Sequence, residues 1–197
     1  MGYTTDFNGG LRITPGIKQE QINYINLLSS TRRMKRDVNK LMEIYEGKYG
    51  NPFATEKTPE AIYGVDGEYF VHEEPYNYGK HHESIINYNC PPGQANFEGE
   101  NKNGQPGLWC QWEIVDNGAD GCYLQWDGGE KFYNYVEWLK YLIKTFFKPW
   151  GVVLNGEIYW NGEDREDMGC IVVKDNKVKT RAAEISYRES DDDEDDE

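Results

Sequence analysis

The chain has 197 residues, which is long enough for one domain, or at most two small ones, with a hydrophobic core. Hydrophobic residues make up 38% of it and aromatic residues 14%, which excludes a wholly disordered chain, while a mean hydropathy of -0.85 without a long apolar run excludes a membrane-spanning segment. The formal net charge of -14, from 35 acidic and 21 basic residues, argues against direct binding to nucleic acid or to an anionic membrane, because both need clustered Lys and Arg.

The N-terminal segment is predicted to contain a hairpin followed by a helix. Residues 3–7 and 11–13 alternate apolar with polar side chains and are separated by Asn8–Gly9–Gly10, which indicates two short strands joined by a glycine turn. Thr14–Pro15 is typical of a helix start, and the apolar residues at helical spacing after it predict a helix that ends near Ser29.

A basic cluster opens the second predicted helix. Thr31 is expected to cap this helix, which ends near Gly47. Its first turns hold the only basic cluster that the sequence shows: Arg32, Arg33, Lys35 and Arg36. Cations oppose the helix dipole at this end, so helix stability does not explain them, and they are a candidate site for an anionic ligand. The alternative is a solvated basic face.

The middle of the chain is predicted to be irregular, with short strands. Residues 47–67 indicate a loop with one helical turn at 59–63, and a long loop is expected at 89–107. Short strands are predicted at 68–72, 84–88, 108–115 and 122–126, the last two joined into a hairpin by a turn at Asn117–Gly118.

The C-terminal half is predicted to contain the longest helix and a meander. Asp127 is expected to cap a helix over about 128–148. Four further strands are predicted at 152–154, 157–160, 170–174 and 177–181, with a turn at Asn155–Gly156 between the first two. Hairpins without βαβ spacing indicate an α+β fold, in which two or three helices cover an antiparallel sheet in a single domain over 1–188. Residues 189–197 are predicted to be a disordered acidic tail.

The sequence predicts no catalytic residue, no metal site and no cofactor. Phosphate-loop and common hydrolase motifs are absent. The cysteines lack zinc-ligand spacing and are expected to be reduced thiols: Cys90, Cys110, Cys122 and Cys170. His81–His82–Glu83 is interpreted as part of an exposed loop. The acidic turn 163–167 is interpreted as a solvated hairpin tip, with a calcium site as the weaker alternative.

Aromatic residues suggest a binding surface, since the chain has 6 Trp and 15 Tyr. Trp109 and Trp112 lie three positions apart on a predicted strand and therefore face opposite sides, so both cannot occupy one core face. One of them is a candidate for a second surface, where Trp often anchors a ligand or a partner. Besides the basic cluster, the candidate binding residues are Trp109, Gln111, Trp112 and Trp126.

Several long motifs resemble a known family. They are GLWCQW at 107–112, WDGGEKFYNYVEWL at 126–139, KPWG at 148–151 and LNGE at 154–157. The chain resembles a family of small uncharacterised cytoplasmic proteins of bacteria and their phages. The resemblance implies a cytoplasmic location, as does an N-terminus without the features of a secretory signal. It brings no established activity, cofactor or catalytic residue.

The sequence supports two functional hypotheses. The first is a non-enzymatic binding protein that sequesters or inhibits a basic protein partner, such as a phage-encoded inhibitor of a host nuclease or defence factor; the acidic charge and the surplus of Trp and Tyr motivate it. The second is a protein, with or without catalysis, that binds a nucleotide or another small anionic ligand. There the basic residues at 32–36 would bind phosphate while a Trp ring stacks on a base.

Overall fold

The computed structural model describes residues 2–73, 83–95 and 104–186 of the protein. In chain order the strands and helices are β1 (Thr5–Thr14), α1 (Gln19–Ser30), β2 (Lys35–Arg36), α2 (Val38–Tyr45), α3 (Pro59–Tyr63), β3 (Ile85–Asn87), β4 (Trp112–Asp116), β5 (Cys122–Trp126), α4 (Tyr135–Leu142), β6 (Val153–Gly162), β7 (Met168–Lys174) and β8 (Lys177–Ala182). The acidic tail at 189–197 and the pair His81–His82 lie outside the described residues, so the expectations for them stay predictions.

Six strands form one antiparallel sheet in the order β4-β5-β1-β6-β7-β8, and β2 pairs with β3 in a small separate sheet. Helices α1 and α4 pack on one face of the large sheet. The predicted fold class, α+β with an antiparallel sheet in a single domain, is therefore confirmed. Within the described residues, every helix falls short of the length and apolar character that a bilayer crossing requires.

The main core lies between the sheet and these two helices. Side chains alternate along each strand, so every second one faces the helices. The strands bury Leu11, Trp112, Leu124, Ile158 and Ile171, while the helices bury Ile25, Leu28, Trp138, Leu139 and Leu142. Beyond Leu142, α4 continues as a π-helical segment over Ile143–Phe147. A smaller cluster of Leu41, Ile62, Tyr63 and Phe70 forms beside α2 and α3.

Two predicted turns are wrong, and for the same reason. The glycines at 9–10 and 156 lie in the interiors of β1 and β6, which pair without interruption. A Cβ atom on Gly9 would lie 2.5 Å from the carbonyl oxygen of Glu157, and one on Gly156 would lie 2.5 Å from that of Gly10. Glycine therefore allows the two backbones to approach closely here, and it does not turn the chain.

The helix starts predicted in the N-terminal half are also wrong. Helix α1 begins at Gln19 instead of Pro15, and Thr31 ends it by donating a hydrogen bond to the carbonyl of Leu27 (2.6 Å). The basic cluster therefore does not open a helix. Instead, Asp37 caps α2 by accepting hydrogen bonds from the backbone amides at 39 and 40.

Some of the other predicted helices and strands are confirmed, and others are wrong. The hairpin of β4 and β5, the strand at 85–87, the helical turn at 59–63 and the hairpin of β7 and β8 are confirmed. The strand predicted at 68–72 is absent from the described residues; this segment forms turns and coil. Helix α4 begins at Tyr135, not near Gly128, because the residues from Asp127 to Asn134 form a loop.

Candidate functional site

A pocket of about 600 Å³ lies beside the end of α1 and the start of β4. Three chain segments build its wall: the end of α1, the stretch that precedes β4, and the loop that connects β5 to α4. The lining residues are Ser29, Ser30, Gly107, Leu108, Trp109, Gln111, Asp127, Gly129, Glu130, Lys131, Tyr133 and Asn134. We call this cavity the Trp109 pocket. It brings together two of the predicted binding residues, Trp109 and Gln111.

Gln111 holds the loop that carries most of the pocket wall. Its side-chain Nε2 donates to the carbonyl of Glu130 (2.9 Å), and its Oε1 accepts from Nε1 of Trp126 (3.2 Å). Nε1 of Trp126 also lies 3.1 Å from the carbonyl of Gly129. Gln111 and Trp126 are therefore positioning residues, which fix residues 127–130 against the sheet.

Two aromatic and two acidic residues line the Trp109 pocket. Trp109 is half-buried, Tyr133 is 53% exposed, and Asp127 and Glu130 are exposed. Lys131 also lines the pocket, but its alkyl chain runs beside Gly2. Carboxylates next to aromatic rings form an environment that favours a bound cation.

The charge on Asp127 is tuned by its surroundings. Partial desolvation raises the pKa of this carboxyl, and a hydrogen bond from the backbone amide of Gly129 (2.8 Å) opposes the rise. That hydrogen bond closes a turn at Asp127, in place of the predicted helix cap. Asp127 and Tyr133 are candidate binding residues that the sequence pattern did not predict. The signal that could have found them is Gly128–Gly129, because consecutive glycines disfavour a helix and leave residues 127–134 as a loop.

Trp112 does not belong to this site. It is fully buried in the core, where Nε1 donates to the carbonyl of Tyr135 (2.9 Å) and the ring packs at an angle against Phe7 and Phe132. The predicted strand at 108–115 begins only at Trp112, so the strand alternation from which Trp109 was singled out does not apply to it. Trp109 nevertheless lies in different surroundings from Trp112, because it is half-buried and lines the Trp109 pocket.

The basic cluster is not a surface cluster. Arg33 is 1% exposed and Arg36 is 4% exposed. Lys35 pairs with Asp66 (3.1 Å), and Arg32 lies over the ring of Trp109 at 5.9 Å while donating to the carbonyl of Tyr88 (3.1 Å). The interpretation of 32–36 as a joint anion site is wrong, because extended backbone directs its members to different surroundings. Only Arg32 adjoins the Trp109 pocket.

One buried donor near the pocket lacks a partner. Among buried side-chain polar atoms of the described residues, Nε1 of Trp138 has no hydrogen-bond acceptor. It lies 3.5 Å from the position that a Cβ atom on Gly107 would take. Since Gly107 lines the Trp109 pocket, the absence of a side chain at 107 leaves this donor just behind the pocket wall.

The cysteines and the acidic turn at 163–167 lie outside the Trp109 pocket. The four cysteines are free thiols; Cys90 and Cys110 are buried, and burial raises the pKa of Cys110 to about 11. The acidic turn at 163–167 is exposed except for Asp167, which accepts hydrogen bonds from Tyr3 (2.6 Å) and Trp160 (3.0 Å). Across the part of the chain that the structure describes, no group of three or more His, Cys, Asp or Glu side chains could hold a metal ion.

Comparison with known proteins gives no relative. Neither a protein-family model, nor a curated protein, nor a solved structure matches this chain. The resemblance based on the motifs at 107–112 and 126–139 therefore stays a prediction. What the protein does has to be inferred from the chemistry of its own surfaces.

Proposed function

We propose that the protein is a non-enzymatic binding protein for a basic protein partner, and that the Trp109 pocket receives a Lys or Arg side chain of that partner. The observation that carries the proposal is the pairing of Trp109 and Tyr133 with Asp127 and Glu130 in one pocket. A cation near aromatic rings gains about 0.5 to 1 kcal/mol at exposed sites. Carboxylates add charge-assisted hydrogen bonds and select a cation over a neutral side chain.

The charge of the whole chain supports the same partner. A net charge of -14 attracts a basic protein over distances of about a Debye length, which is about 8 Å at physiological salt. Such attraction mainly raises the association rate, while a well-formed pocket slows dissociation. We therefore expect binding that weakens at high salt but keeps its preference for Lys or Arg.

The resemblance to proteins of bacteria and their phages makes the proposal more specific. The partner would be a host nuclease or defence factor, whose basic surface binds nucleic acid and is covered when this protein binds. The site of action would be the cytoplasm. Four free cysteines support that location, since reduced thiols persist in reducing compartments.

A peptide titration tests the pocket directly. The probe is a capped peptide of alternating Gly and Lys, compared with the same peptide in which Gln replaces Lys, and affinity is measured by calorimetry. Replacing both pocket carboxylates (Asp127→Asn with Glu130→Gln) should weaken binding of the Lys peptide about tenfold, since two exposed charge contacts contribute on the order of 1.4 kcal/mol. Trp109→Ala should weaken binding about threefold or more.

The matched control removes the same charge elsewhere. Asp120 and Glu184 are exposed and lie outside the pocket, so Asp120→Asn with Glu184→Gln changes the net charge equally. We expect this control to retain at least about half of the affinity. Equal losses in the two double variants would show that only overall charge matters and would reject the pocket. Equal affinity for the Lys and Gln peptides would reject the proposal altogether.

The pH dependence of this binding should report on Asp127. Desolvation raises the pKa of its carboxyl, so protonation removes the negative charge at a higher pH than for an ordinary aspartate. As the pH is lowered from 7, the affinity for the Lys peptide should show a falling step that belongs to Asp127, at a higher pH than an ordinary aspartate would give. In Asp127→Asn that step should vanish, and its persistence would assign it to another group.

A further inference from the structure

The face of the large sheet that points away from α1 and α4 carries a second group of cations. Side chains alternate along β7 and β8, so one face presents Lys174, Lys177, Lys179 and Arg181. All four are exposed, and none forms a salt bridge with another described residue. The four cations are not consecutive in sequence, because a turn separates Lys174 from Lys177 and every second residue of β8 points to the other face. It creates a positive region on a chain of net charge -14.

Next to this strip, the same face contains a pocket of about 600 Å³, which we call the sheet pocket. Across β1, β6, β7 and β8, one row of side chains lies in register: Asn8, Tyr159, Cys170 and Arg181. A neighbouring row consists of Asp6, Asn161 and Met168. The ring of Tyr159 is 55% exposed, and its hydroxyl donates to Glu157 (2.7 Å), which restrains the orientation of the ring.

The side chains of the sheet pocket are arranged so that apolar, amide and cationic groups could contact the base, the base edge and the phosphate of a nucleotide. Tyr159 and Met168 provide an apolar surface on which an aromatic base can stack. The neighbouring amides, on Asn8 and Asn161, offer both a donor and an acceptor to the edge of a base. Arg181 lies at the β8 side of the pocket, where its guanidinium can bind a phosphate.

Asp6 gives the pocket a direction. It lies on β1, three strand spacings from Arg181 on β8, which is about 14 Å. A phosphate is therefore favoured at the β8 side, and a carboxylate on the β1 side repels it. Amino and hydroxyl groups of a base or a sugar are the natural partners of Asp6.

We infer that the sheet pocket binds a mononucleotide, with its base on Tyr159 and its phosphate toward Arg181 and Lys179. The volume of about 600 Å³ lies within the range of about 300 to 1,000 Å³ typical of small-ligand pockets. A nucleic-acid strand is not assigned, because a net charge of -14 opposes a long polyanion, whereas a single phosphate responds mainly to nearby cations. This site lies apart from the Trp109 pocket and does not depend on the proposed function.

The test is a titration of the full chain with the monophosphates of adenosine, guanosine, cytidine and uridine, followed by backbone amide shifts in NMR spectra. Adenosine without phosphate and an oligothymidylate serve as comparison ligands. Tyr159→Ala should weaken the best monophosphate at least about fivefold, which is the lower end for the loss of one stacked base. Tyr133→Ala is the matched control, because Tyr133 is 53% exposed and lines the other pocket; it should leave the affinity unchanged.

A second variant separates the phosphate from the base. Arg181→Gln should weaken the monophosphate at least about threefold and leave adenosine binding unchanged. Both altered side chains are exposed, so the variants should fold, and thermal melting checks this. The inference is overturned if no monophosphate shifts the amides of β6 and β7 at millimolar concentration, if Tyr133→Ala weakens binding as much as Tyr159→Ala, or if only the oligothymidylate binds. Binding of the Lys peptide to the Trp109 pocket decides the proposed function separately.

Discussion

Arg33→Ala should lower the free energy of unfolding by about 3 to 5 kcal/mol, because it removes a buried cation that many acceptors share. Arg33 is 1% exposed and donates to the carbonyls of Phe70 (2.6 Å) and Glu68 (2.8 Å) and to Oε1 of Gln105 (3.0 Å). Alanine would remove all three of these hydrogen bonds, and the carbonyl of Glu68 would keep the one from Nε2 of Gln105. Each such loss costs about 1 to 3 kcal/mol before the structure relaxes.

The cost is large because Arg33 belongs to a connected network. Gln105 donates from Nε2 to the carbonyl of Glu68 (2.8 Å) and to the hydroxyl of Tyr141 (3.1 Å), which in turn donates to Oε2 of Glu68 (3.0 Å). The network joins the segment after α1, the turn at 67–70, the stretch before β4 and helix α4. Desolvation lowers the pKa of Arg33, while the neighbouring Tyr141 opposes this. Hydrogen bonds to carbonyl groups thus stabilise the charge in place of an ion pair.

Urea unfolding followed by tryptophan fluorescence measures this effect. Arg12→Ala is the matched control, since Arg12 is exposed on the outer face of the sheet, and it should change stability by less than about 0.5 kcal/mol. Arg33→Lys should recover only part of the loss, because one ammonium cannot reproduce the fork of a guanidinium. That variant keeps the test measurable if Arg33→Ala does not fold. Equal midpoints for Arg33→Ala and Arg12→Ala would contradict the role of Arg33.

Sequence patterns predicted the fold class because apolar and polar residues alternate along a strand wherever one face of that strand is buried. Cys110, Trp112 and Ile114 are buried as their period of two indicates. Glycine was the main source of error. Glycine lies in a turn at Gly118, allows two strands to approach closely at Gly9, and lies at Gly128 in a loop where a helix was predicted. Which of these roles a glycine has depends on the strand or loop that packs against it, and the local sequence does not show this.

The candidate sites depended on long-range contacts that spacing does not reveal. Trp109 and Gln111 were predicted from the alternating pattern of residues 108–115, whereas Tyr133 reaches the same pocket through the loop that precedes α4. Four basic residues among the five from Arg32 to Arg36 suggested a basic surface. The chain leaves α1 in extended conformation, and the side chains of Arg33 and Arg36 are buried. Exposed cations lie together on β8 instead, where strand alternation places Lys179 and Arg181 on one face of the sheet.

Leu139→Ala should cost about 2 to 5 kcal/mol, a large share of the ~5 to 15 kcal/mol that stabilises a typical domain. Leu139 is completely buried in α4, where it belongs to the core between the helices and the sheet. Truncation removes its apolar contacts and leaves a cavity that the surrounding sheet and helix close only in part. Loss of soluble protein is the expected result in cells, and a lower urea midpoint is the expected result in purified samples.

Lys140→Ala is the control, one residue further along the same helix. Lys140 is exposed and lies 3.9 Å from Glu137, a surface ion pair that contributes little, so the substitution should change stability by less than about 0.5 kcal/mol. Both variants place Ala in the same helix, so the difference between their urea midpoints reports the effect of burial and not that of helix propensity. Comparable midpoints would mean that the apolar side of α4 is not buried in solution, and that the helix presents Leu139 and its neighbours to a partner.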